Sequence, residues 1–138
     1  MTALSNELSL WLEDFVQQNG GAAGTIHRHA NDELALVAAF NIPPKVQEIT
    51  AKIPRGKGMA GLALERNRPV QTCNLQADTS GDVKPGARAV NAQAAVAIPV
   101  RGDDGGVRAV VGIAFQEEGE IGPERIDALS RAAAGLPA

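Results

Sequence analysis

The chain has 138 residues, a single cysteine and a formal net charge of −3. This length suits one domain able to bury its own core, and one cysteine excludes an internal disulfide, a two-thiol mechanism within one chain and a zinc site built on several thiolates. Mild acidity and an aromatic content of 3% argue against a surface that coats nucleic acid or stacks on bases.

The first segment is patterned as an amphipathic helix. Leu4, Leu8, Trp11 and Phe15 recur at helical spacing, Leu12 and Val16 widen the stripe, and Asn19-Gly20-Gly21 supply the stop. Two strands follow, Thr25–His29 and Glu33–Phe40, with Asn31-Asp32 as the turn of a hairpin. Pro43-Pro44 open a short helical stretch through Val46 and Ile49. Gly56-Lys57-Gly58-Met59-Ala60-Gly61 leads into a short helix that Arg68-Pro69 closes, and Val70–Cys73 is a strand. Residues 74–91 are polar and rich in Gly, Pro, Asp and Ser, and are predicted as a long loop with a turn of helix near Pro85 to Val90. Ala94–Val100 and Val107–Phe115 are two strong strands joined by Asp103-Asp104-Gly105-Gly106. The last helix starts with Gly122 as N-cap and Pro123 in its first turn. Ile126, Leu129, Ala133 and Leu136 share one face, and Ile121 is placed to staple onto Ile126. Hairpins bracketed by helices define an α+β domain over residues 1–138. It has a central antiparallel sheet, and its N- and C-terminal helices pack on one face.

No segment reaches the ~18–20 apolar residues of a membrane helix. Met1 to Asp14 has neither a basic cluster nor a small-residue cleavage site. The expectation is a cytoplasmic protein with a reduced Cys73 and no membrane or nucleic-acid partner.

The glycine run matches G-x-G-x-x-G, the pattern of dinucleotide-binding turns. That reading needs a buried parallel strand before the run, and Ala51-Lys52-Ile53-Pro54-Arg55 is a poor one, with a proline and two cations. Gly58 and Gly61 instead let the helix start lie close against the sheet.

The order Ile53-Pro54-Arg55-Gly56-Lys57-Gly58-Met59-Ala60-Gly61-Leu62-Ala63, then Arg68-Pro69-Val70-Gln71, then Asn74-Leu75-Gln76-Ala77-Asp78, resembles the centre of GAF domains. Ala95–Val100, Val107–Phe115 with Gly112, and Gly122-Pro123-Glu124 resemble that family's closing strands and last helix, so the resemblance covers residues 5 to 136. It implies a sheet with helices on one face and a ligand pocket on the other, lined by central strands and by the loops after the glycine-rich helix. Cys73, Asp78, Thr79, Arg88 and Met59 are the residues it would bring to a ligand, with small Ala94, Ala95 and Ala97 as pocket wall. The residues themselves leave alternatives open. Cys73 reads either as a small buried hydrophobe or as a redox-sensitive pocket thiol, and the loop either as a solvated one or as a cover over the pocket.

The family includes free methionine-R-sulfoxide reductase, which needs an attacking and a resolving thiol. Its cysteines fall where this chain has Met59-Ala60 and Ala87-Arg88-Ala89, so a lone Cys73 disfavours that chemistry. Bilin attachment pairs cysteine with a neighbouring histidine, whereas Cys73 precedes Asn74-Leu75. Haem or metal would have to use His27 and His29, which are expected as exposed polar residues two apart on the hairpin, so no metal is assigned and no cofactor is named. Arg55 and Lys57 are placed to draw an anion to the helix start. The expected function is a non-catalytic, ligand-binding sensory module. It would capture a small molecule between the sheet and loop 76–91, and signal through a homodimer of its terminal helices or through a protein partner. The alternatives are a thiol-dependent enzyme or redox sensor acting through Cys73, and a dimeric scaffold without a ligand.

Overall fold

Alternation along the penultimate strand decides the architecture. Ala94, Val96, Ile98 and Val100 are buried in one cluster while Ala95 and Ala97 are buried in two others, so both faces of the strand are covered. A computed structural model describes residues 3–72, 93–117 and 119–137, with only the backbone of residues 3–6. The elements are α1 (Ala3–Gln18), β1 (Ala23–Ala30), β2 (Glu33–Phe40), α2 (Pro44–Ile49), β3 (Lys52–Pro54) and α3 (Gly58–Arg66). They continue with β4 (Val70–Thr72), β5 (Ala94–Arg101), β6 (Val107–Phe115) and α4 (Pro123–Ala133). The described strands form one antiparallel sheet in the order β3-β2-β1-β6-β5-β4.

The terminal helices share one face of this sheet, as their stripes predict. Leu8, Leu12, Phe15 and Val16 of α1 and Leu129 and Ala133 of α4 pack into one cluster with Val96, Ile98, Val111 and Ile113. Ile121 joins this cluster with Ile126 against it, which is the predicted staple. The opposite face carries α3, whose Ala63 and Leu64 pack on Leu34, Val70, Ala97 and Val110.

Local turn chemistry sets the hairpins. Asn31 (φ 54) and Asp32 (φ 61) both take left-handed backbone between Ala30 and its partner Glu33, the two-residue turn that matches strand twist. A bulge lies further along the same pair: Ile26 faces Ala38 but His27 faces Leu36, leaving Val37 extra on β2. The bulge switches faces, so Leu34 packs under α3 whereas Ala38 packs under α1.

Three expectations are corrected. Residues 52–54 form an additional short strand at the sheet edge, where Pro54 is tolerated because one side of the strand needs no ladder donor. Ala94 belongs to the helix-side core and does not share a wall with Ala95 and Ala97, since it is one residue out of phase with them. His27 is 3% exposed, not a surface residue, because α2 folds back over β1. Among the described residues no helix is long and apolar enough to cross a membrane.

Candidate functional site

Small residues on one sheet face leave room beneath the segments that cross it. A cavity of about 520 Å³ lies on the face opposite α1 and α4. Its floor is Thr25 and His27 of β1, Ala95 and Ala97 of β5, and Gly112 and Ala114 of β6. Ile42, Val46, Ile49 and Thr50 form one wall. Ile53, Pro54, Lys57, Gly58 and Met59 form the other. The lining is overwhelmingly apolar, and Ile49 is 58% exposed, a large hydrophobe held in the open at the rim.

The glycine run builds the second wall. Gly58 begins α3 at φ 66, a left-handed conformation that favours glycine. Gly61 is needed for contact, since a Cβ there would stand 2.5 Å from the Pro54 carbonyl oxygen. The turn is closed by the Gly56 amide donating to the Gly61 carbonyl at 2.9 Å and the Lys57 amide donating to the Pro54 carbonyl at 3.2 Å. These glycines therefore press a helix onto an edge strand. The flanking strands β3 and β4 pair antiparallel to their neighbours, so the dinucleotide crossover is missing.

His27 is the buried polar group of the floor. Its Nε2–H donates to the Thr50 carbonyl at 2.8 Å, tying the end of α2 to β1. A carbonyl only accepts, so in the neutral ring Nε2 carries the proton and Nδ1 is a bare lone pair. Burial lowers the His27 pKa below 6.5, opposed by the bond to Thr50, and the ring is held neutral. Nδ1 is buried and has no partner. His29 orients the other way, with Nδ1–H donating to the Val107 carbonyl at 2.7 Å.

Of the residues that the sequence suggests for a ligand, Met59 lines the cavity. Cys73, Asp78, Thr79 and Arg88 lie outside the described residues, as does the predicted loop 74–91. Arg55 is engaged elsewhere, its Nε donating to Asp32 at 2.6 Å on the exposed hairpin turn, while Lys57 stays at the cavity. Sequence reasoning missed Thr25, His27 and the α2 wall. The available signal was the phase of Thr25 and His27, two apart on the strand face that also holds Ala23. Among the described residues no group of three His, Cys, Asp or Glu side chains is placed to hold a metal ion.

An antiparallel sheet with terminal helices on one face and an apolar cavity on the other defines an α+β domain. The chain belongs to the GAF domain family, whose model matches residues 5–136. No curated protein matches the sequence. Solved structures share the fold at low identity. The type II free methionine-R-sulfoxide reductase of Thermoplasma acidophilum is 18% identical with a TM-score of 0.75, over 96% of this chain and 90% of that one. The GAF domain of a phosphoenolpyruvate-protein phosphotransferase from Coxiella burnetii is also 18% identical with a TM-score of 0.75, over 97% and 82%. The A. aeolicus nlh2 GAF domain in an inactive state is 14% identical with a TM-score of 0.68, over 97% and 80%.

Proposed function

We propose that this GAF domain is a non-catalytic sensory module that binds a small molecule in the cavity above Ala95, Ala97 and Gly112. The cavity carries the reading: at about 520 Å³ and mostly apolar, with few polar groups, it has the size and character of a small-molecule site. Binding on one sheet face is sensed on the other, because β1, β5 and β6 alternate residues between the cavity and the α1–α4 core. The output passes through the terminal helices to a second copy or a protein partner in the cytoplasm, with Leu10, 66% exposed on α1, available to such a contact. The presence of a single cysteine in the chain supports binding over two-thiol sulfoxide chemistry.

A thermal-shift screen of polar and apolar metabolites tests this. A hit that stabilises the wild-type chain but not an Ala95→Leu variant, whose new side chain occupies the cavity, supports the reading. A hit that stabilises both equally, or a panel with no hit beside a tight dimer, replaces it with the scaffold reading. Turnover of a sulfoxide or peroxide that Cys73→Ser abolishes replaces it with a thiol enzyme.

A further inference from the structure

The two walls of the cavity are not held equally. The wall that starts α3 is fixed by Ala63 and Leu64, both buried against Leu34, Val70, Ala97 and Val110 of the sheet. The other wall, α2, has six residues, too few for a helix to persist unaided. Its buried side chain is Val46, packed on Ala23, Ala95 and Ala114. The end of α2 is tied to the sheet by His27, whose Nε2–H donates to the Thr50 carbonyl at 2.8 Å. Beyond these two anchors the segment is pinned at its margins. Asn41 enters it in left-handed backbone (φ 56) and donates Nδ2–H to the Ala22 carbonyl at 3.0 Å, and the Ala51 carbonyl accepts from the Leu36 amide at 2.9 Å. A short cover with two anchors between fixed ends is the part of such a fold that opens locally at least cost.

One of the two anchors titrates. Protonation leaves the Nε2–H bond to Thr50 in place and adds an N–H at Nδ1, which is buried and meets no acceptor. The strand neighbours of His27 are Leu36 on β2 and Val110 on β6, neither of which answers a charge. On its own strand face stands His29, whose Nδ1–H is spent on the Val107 carbonyl. The charged groups from the other elements are Lys52 of β3 and Lys57 before α3, both at the cavity, with Lys45 and Glu48 of α2 exposed and outside its lining. No carboxylate lines the cavity among the described residues, so nothing there pairs with an imidazolium ring. Burial accordingly lowers the His27 pKa, and the bond to Thr50 opposes this only in part.

We propose that His27 is a proton-operated latch on the cavity wall, releasing Thr50 and α2 from β1 when the ring is charged so that acidification opens the cavity. The charged ring needs water, and α2 is the cover with the fewest anchors. The latch rests on the binding-module reading and adds its regulation. By reciprocity, a ligand that fits the closed cavity weakens as the ring is protonated.

Hydrogen exchange of the full chain, corrected for the pH dependence of the chemical step, tests the latch without any ligand. Opening lets the ring titrate near 6.5, its unperturbed value. Between about pH 7.5 and 5.5 the protection of the Val46, Gln47 and Thr50 amides should therefore fall by up to about tenfold, while the amides paired between β5 and β6 keep theirs. His27→Gln keeps a side-chain N–H for Thr50 and has no proton to take up, so its α2 protection should stay level. Level protection in the wild-type chain, or an equal fall in His27→Gln, overturns the latch and leaves the binding cavity to the metabolite screen. Should the variant fail to fold, the wild-type protein still decides. The His27 ring resonances must titrate over the same pH range in which α2 protection is lost, and loss without titration overturns the latch. A hit from that screen should bind up to about tenfold more weakly at about pH 5.5 than at 7.5, and equal binding at both would overturn the coupling.

Discussion

Replacing Gly61 by alanine tests the reason given for the glycine run. The new Cβ would lie 2.5 Å from the Pro54 carbonyl oxygen and 3.2 Å from the Gly56 nitrogen, both backbone atoms, where real contacts are longer than 3.0 Å. The β3–α3 turn has to open by about half an ångström, at an overpacking cost of about 1–3 kcal/mol. The bonds Gly56 N–H to Gly61 and Lys57 N–H to Pro54 are strained with it, at about 1 kcal/mol each. Alanine's better helix propensity returns up to about 1 kcal/mol. The net loss is about 2–4 kcal/mol, a fall in Tm of roughly 6–20 °C for a domain of this size. Urea unfolding followed by the fluorescence of Trp11, the only tryptophan, reads the same loss as a lowered midpoint. Gly122→Ala is the control, because nothing lies within 4 Å of its Cβ position and only an N-cap preference of at most about 1 kcal/mol is lost. A Gly61→Ala protein as stable as wild type, or more so, refutes the close-contact account.

The remaining predictions concern the cavity, the buried histidine and the helix layer. Ala95→Leu projects into the cavity and should cost under about 1 kcal/mol. Ala94→Leu enters the packed helix-side core and should cost about 1–3 kcal/mol or more, and equal losses by thermal melts would contradict the face assignment. His27 has its folded pKa lowered from 6.5, so the unfolded chain binds the extra proton first. Its contribution is fully present above about pH 7 and is lost as pH falls through 6.5 towards the lower folded value, at up to about 1.4 kcal/mol per pH unit. Denaturant titrations between about pH 5.5 and 7.5 should show this slope, and His27→Gln should flatten it. Leu12→Ala, at a position 0% exposed between α1 and the sheet, should cost about 2–5 kcal/mol by the same urea assay. A loss under about 1 kcal/mol would mean that α1 does not cover the sheet.

Most of the fold was legible because its signals are local. Asn31-Asp32, Asp103–Gly106 and Gly122-Pro123 each set a turn or a helix start through the backbone preferences of residues a few positions apart. The stripe of α1 names the residues that the sheet buries, and alternation in β5 implies two covered faces. The short strand β3 was not legible, since three residues ending in proline acquire strand character only by pairing with β2. The burial of His27 is hidden from the sequence for a related reason. Strand alternation says which face a residue takes, but α2, whose Thr50 carbonyl buries the ring, comes from 23 residues away. Met59 was found through the family pattern and does line the cavity, whereas the α2 wall carries no motif and is defined by packing alone. Ala95 and Ala97 face the cavity and Ala94 does not, a split that a period of two along the strand already implies.

The central claim is that a small molecule occupies the cavity on the side of β5 and β6 opposite α1 and α4. Only two methionines are present, Met1 and Met59, and Met59 is a wall residue. Protein labelled with carbon-13 at the methionine methyl groups therefore gives a reporter inside the site. Titrated with a stabilising hit from the metabolite screen, the Met59 methyl resonance should move saturably in the wild-type chain and stay fixed in Ala95→Leu. A bound ligand that leaves Met59 unmoved, or moves it equally in both proteins, would contradict the account.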